Sequence, residues 1–118
     1  MSDFKTALIE VVETAAPELE GKLQCGAVDA ETPAPFATYS TPEELPIRTK
    51  DGICGYETLF EVEVFDSRVA GAESLKRKVR GAVEGLVVDG RVCRHRNSSS
   101  DYYPDYDLHS WTLTFKVI

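Results

Sequence analysis

The chain has 118 residues, 42% hydrophobic and 28% charged, with 20 acidic against 13 basic side chains and a formal net charge of −7. That size and balance suit one folded domain spanning residues 1–118 and exclude a disordered chain. The negative field argues against a general nucleic-acid binder, and no apolar run reaches the length of a membrane span.

Ser2 or Asp3 is placed to cap a first helix. Phe4, Ala7, Leu8, Val11, Val12 and Ala15 recur at spacings of three and four and form its apolar stripe. Ile9 lies off that stripe, free to face a neighbouring subunit. Pro17 stops the helix or opens one further turn, and Gly21 ends it. The opening MSDFKTALIE lacks a signal-peptide layout, so the chain is expected to stay in the cytosol of the cell that makes it. Three unclustered cysteines, Cys25, Cys54 and Cys93, suit reduced thiols there.

Leu23 to Val28 reads as a short strand, 29–34 as a loop and Pro35 to Thr41 as a second strand. TPEELP (41–46), with a proline at its end and threonine-proline at its start, reads as a connection. Ile47 to Lys50 enters a hairpin whose turn is Asp51-Gly52, because glycine takes positive φ without cost. A long strand follows to about Phe65. Tyr56, Thr58, Phe60, Val62 and Val64 share the face expected to meet the core; Glu57, Leu59, Glu61, Glu63 and Phe65 share the other.

Asp66 or Ser67 is expected to cap a second helix. Val69, Ala72, Leu75, Val79, Ala82, Val83 and Leu86 mark its buried stripe, with Gly85 near its end. Val87-Val88 and Asp89-Gly90 begin the next connection, Val92 to Arg96 reads as a strand, and NSSSD (97–101) as a polar, mobile loop. The closing strand places Trp111, Leu113, Phe115 and Val117 on one face, so the end of the chain is expected to belong to the core. The whole is expected to be an α+β two-layer domain: an antiparallel sheet of four to five strands with two helices packed on one face.

Few residues are arranged for chemistry. Cys93, His95 and His109 are the candidate soft-metal ligands, but a closed zinc site needs a fourth ligand and lacks its tight cysteine pairs here. As a nucleophile pair, Cys93 and His95 have nothing in the sequence to orient the histidine. Glu61 and Glu63 are neighbours on a strand face that reads as the solvent side. No glycine pattern cradles a phosphate. The basic groups Arg91, Arg94 and Arg96, and Lys76, Arg77, Lys78 and Arg80, read as solvated faces. No catalytic residue, cofactor or metal is therefore expected.

The cluster Tyr102, Tyr103 and Tyr106, set among Asp101, Asp105 and Asp107, admits two readings. It is a protein interface, since aromatics with polar tips are enriched there, or a loop tucked over the sheet edge. The hairpin tip Lys50, Asp51 and Gly52 is the other candidate interface, chosen for exposure.

Several segments together carry a family resemblance. They are the first helix FKTALIEVV, the strand Pro35-Phe36-Ala37-Thr38-Tyr39, the strand Phe60-Glu61-Val62-Glu63-Val64-Phe65 and the helix AGAESLKRKVRGAVEGL. The end adds Tyr103-Pro104-Asp105, Leu108-His109 and Leu113-Thr114-Phe115-Lys116-Val117. In these the chain resembles the short tail-completion or tail-terminator proteins of siphophages and prophages over nearly its whole length. The DGICGYE hairpin, the NSSS segment and Trp111 depart from that family's pattern.

The resemblance implies a structural protein and not an enzyme. It would assemble in the host bacterial cytoplasm as a hexameric ring, cap the tail tube, end its polymerisation and form the joint to the head connector of the virion tail. DNA would pass through the ring without specific binding. The alternatives are a head–neck or head-closure component of the same assembly and, in another class, a small cytosolic enzyme or ligand-binding domain using Cys93, His95 and His109.

Overall fold

The structure is a computed structural model that describes residues 2–25, 32–88 and 90–118; the side chains of Ser2 and Asp3, and so any cap they form, lie outside the described residues. Among the described residues two helices, α1 (Ser2–Ala15) and α2 (Val69–Val83), accompany seven strands: β1 (Leu23–Cys25), β2 (Phe36–Tyr39), β3 (Glu43–Thr49), β4 (Gly52–Asp66), β5 (Val87–Val88), β6 (Arg91–Tyr103) and β7 (Leu108–Val117). The strands form a strongly curled sheet, a half-barrel, in the order β1-β2-β4-β7-β6-β5, with β3 paired to the free stretch of β4.

The α+β class holds, but the sheet is larger than four to five strands and is mixed, since β1 runs parallel to β2. Two segments expected to be loops account for much of the difference. TPEELP contributes to β3, whose Pro46 is tolerated because the strand pairs on one side only, with β4. The serine run lies inside β6, held by pairing Ser98 with Leu113, Ser99 with Thr112 and Ser100 with Trp111. A register shift between His95 and Asn97 bulges the strand at Arg96. The expected strand from Leu23 extends to Cys25, and residues 26–31 lie outside the described residues, as does Asp89.

The core lies between the helices and one face of the sheet. Phe4, Leu8 and Val12 of α1 and Leu75, Val79 and Val83 of α2 meet Phe60, Val62 and Val64 of β4 and Leu113, Phe115 and Val117 of β7. Full burial of each such side chain contributes about 1.5–3 kcal/mol. Phe60 sits edge-on to Phe4 at 4.8 Å and stacks on Phe115 at 5.3 Å between ring centres. Pro17 opens a further 3-10 turn, Pro17–Leu19, which buries Leu19.

Four expectations about individual side chains are corrected. Ile9, expected off the apolar stripe, is partly buried and packs against the core. Val69 opens α2 before the helix reaches the sheet and is exposed. The residue at the cap of α2 is Arg68, whose side chain makes no capping bond; the buried carboxylate of Asp66 accepts the Arg68 backbone N–H at 3.1 Å. Trp111 is only partly buried, its ring covered by the ammonium of Lys76 at 4.1 Å.

Candidate assembly surfaces

The register of the sheet separates two projecting ends. β7 pairs with β4 from Thr58 to Asp66, so residues Gly52–Glu57 extend past the end of β7 with β3 as their pairing partner. This two-stranded arm ends in the expected Asp51-Gly52 turn, where Gly52 has φ 112°. The Thr49 hydroxyl donates to the Gly52 carbonyl at 3.2 Å and accepts the Asp51 N–H at 3.3 Å. No helix covers the arm. Tyr56 shares the face of Phe60 yet is 60% exposed, where Phe60 is 1% exposed; Ile47 and Ile53 are exposed with it. The reading of Tyr56 as core fails because alternation continues after the helices have ended.

At the opposite end β6 and β7 meet in a tight turn. Tyr103 pairs with Leu108, the Tyr106 N–H donates to the Tyr103 carbonyl at 3.1 Å, and Asp107 takes φ 50°. The three tyrosines there behave differently. Tyr103 is half-buried; it contacts Phe65 and donates to Glu63 at 2.9 Å, and that bond holds its hydroxyl above the usual tyrosine range. Tyr102 lies tilted against His109, 4.7 Å between ring centres, and donates to Asp107 at 2.9 Å, which likewise raises its hydroxyl. Tyr106 points out, 76% exposed. Thus the tucked reading holds for Tyr103, which lies against the sheet, whereas Tyr102 and Tyr106 are exposed at the surface.

The candidate chemical cluster is split. Cys93 and His95 lie near one end of β7, opposite Val117 and Phe115, while His109 lies near its other end, opposite Asp66. Six residues of strand between Phe115 and His109 span roughly 20 Å. Among the described residues no group of three or more His, Cys, Asp or Glu is placed to hold a metal. Cys93 is buried, and burial, with the charge of Glu84, pushes its thiol up, the opposite of what an attacking thiolate needs. His95 is engaged with the Ser98 hydroxyl at 2.7 Å.

The acidic strand face has internal uses that spacing did not reveal. Glu63 receives Tyr103, and Glu57 pairs with Arg96 at 2.9 Å. Four cations of the basic groups pair with carboxylates: Arg77 with Glu73, Lys78 with Glu18, Arg94 with Glu84 and Arg96 with Glu57.

A cavity of about 470 Å³ opens near the start of α1, lined by Phe4, Tyr39, Pro42, Cys93 and Val117 among others, with Lys5 and Arg91 polar members. Arg91 is spent on the Thr58 hydroxyl and the Val117 carbonyl.

No protein-family model and no curated protein matches the chain. The fold matches a chain of a solved structure described as the virion of a native gene transfer agent particle. The TM-score is 0.61 and the identity 17%, over 96% of this chain and 94% of that one. At that identity the likeness establishes a shared fold.

Proposed function

We propose that the chain is a virion structural protein of the tail-terminator kind, acting as one unit over residues 1–118 and without catalysis. It assembles as a ring, caps the tail tube, ends tube growth and forms the joint to the head. The observation that carries this reading is the end-to-end match in fold to a chain of a virion particle. The two uncovered ends of the sheet support it, since a ring needs two different patches on each subunit. The acidic balance supports it too, because a channel wall short of free cations lets DNA slide through.

Adding the purified protein to polymerising tail tube protein of the same virion tests the reading. Shortened tubes, each bearing the protein at one end, are expected. Tubes of unchanged length with no bound protein contradict it, and binding to isolated head connectors in preference to tubes moves the role to head closure.

A further inference from the structure

Among the described residues, six of the eight large hydrophobic side chains that remain exposed stand at the two ends of the sheet; Val87 and Ile118 are the others. Ile47, Ile53 and Tyr56 stand on the arm, and Val69, Tyr102 and Tyr106 stand at the opposite end. The two ends also differ in sign. Across residues 47–53, Arg48 and Lys50 against Asp51 leave a net +1; across residues 101–107, Asp101, Asp105 and Asp107 give −3.

Among the described residues these charges are not paired with opposite charges inside the subunit. Neither Arg48 nor Lys50 has an ion-pair partner among the described residues, unlike Arg77 and Lys78 of α2 and Arg94 and Arg96 of β6. No cation faces the three aspartates in an ion pair either; Asp101 and Asp107 accept only from Tyr102. An arm of two strands beyond the helices also gains little stability of its own. Exposed apolar groups and unpaired charges of opposite sign therefore sit on two surfaces that a single subunit cannot bring together, because they lie at opposite ends of its longest element.

We infer that the arm of one copy docks on the tyrosine turn of the next copy, so that these two surfaces are the two halves of one head-to-tail contact. The apolar residues make the buried centre, with Tyr106 as the anchor, and the opposite charges fix orientation at the rim. Such a contact is heterologous and repeats until the rotation closes it. The internal bonds of Tyr102 and Tyr103 hold the turn in shape before the neighbour arrives, which lowers the ordering cost of docking. The inference rests on the ring reading above and adds to it which surfaces meet.

Two charge-reversed variants test it. The first carries Arg48→Glu and Lys50→Glu, turning the arm to −3; the second carries Asp101→Lys and Asp105→Lys, turning the aspartate segment to +1. All four positions are exposed, and circular dichroism with thermal unfolding checks that each variant folds. By light scattering, each variant alone is expected at the 13.1 kDa monomer mass, and an equimolar mixture at the mass of an alternating assembly. A mixture that stays monomeric overturns the inference. So do variants that assemble alone as well as the wild type, an outcome that leaves the ring reading standing. A wild type that neither assembles nor ends tubes overturns both. As a check free of substitutions, wild-type assembly should weaken as salt rises from about 0.1 M to about 1 M, where the screening length shortens from about 10 Å to about 3 Å; assembly indifferent to salt counts against the pairing.

Discussion

One strand serves two ends of this molecule in different ways. From Phe60 to Val64, β4 is paired with β7, from Val62 also with β2, and is roofed by both helices; from Gly52 to Glu57 it is half of a bare hairpin. Phe60 and Tyr56 lie on the same face, two repeats of the pleat apart, and differ from near-complete burial to 60% exposure. The contrast teaches that alternation marks which face a side chain takes, whereas the neighbouring elements decide whether that face is core or contact surface.

The comparison breaks most severely when the covered end loses β7. Deleting residues 113–118 removes Leu113, Phe115 and Val117 from the core and is expected to abolish cooperative unfolding and leave a spectrum of unfolded chain in circular dichroism. Next, Phe60→Ala is expected to cost about 3–5 kcal/mol in urea unfolding. Tyr56→Ala should stay within about 0.5 kcal/mol of wild type and lower assembly instead. Equal losses of stability from the two would erase the distinction between the ends.

Gly71 sharpens the covered end further. A Cβ there would run into the buried carboxylate of Asp66, which is anchored on the Arg68 N–H. Gly71→Ala is therefore expected to destabilise by about 1–3 kcal/mol, as overpacking does, although alanine is the better helix former. An unchanged or raised melting temperature would contradict that account.

The turn end is tested by Tyr103→Phe, expected to cost about 0.5–1.5 kcal/mol through the lost bond to Glu63. Because the folded state holds this hydroxyl above its ordinary value, its contribution is full below the unfolded value near 10 and is lost as pH rises through the folded one. The wild type should lose stability relative to the variant across that alkaline window.

The smallest expected effect lies at the Pro17–Leu19 turn. The hydrogen bond from Lys78 holds Glu18 below the usual carboxylate range. Stability from this pair is present above the unfolded value of about 4.3 and is lost as pH falls through the folded one. Both side chains are more than a third exposed, so Lys78→Met should cost no more than about 1 kcal/mol, and less in high salt.

Much of the fold was legible because its signals are local. The three-and-four spacing from Phe4 to Val12 and from Ala72 to Val83, and the alternation of Phe60 to Val64 and Leu113 to Val117, mark the buried faces directly. What stayed hidden depends on distant partners. A serine run has little strand preference of its own and becomes strand only because β7 lies beside it. Glu43 to Pro46 becomes strand because β4 extends past β2 and leaves that edge open, and no local feature announces a parallel partner for β1.

The candidate surfaces follow the same division. Composition picked out Lys50-Asp51-Gly52 and Tyr102, Tyr103 and Tyr106. It could not tell that Tyr103 is bound to Glu63, forty residues earlier in the chain, or that the two turns stand at opposite ends of the sheet. The separation of His109 from Cys93 and His95 was equally hidden, being a consequence of strand length.

Light scattering on the purified wild-type protein, with negative-stain imaging of the same fraction, tests the central claim most directly. Closed rings of about six copies of the 13.1 kDa chain are expected, free or on tube ends. A strictly monomeric protein that forms no ring, alone or with tail tubes, would contradict the account.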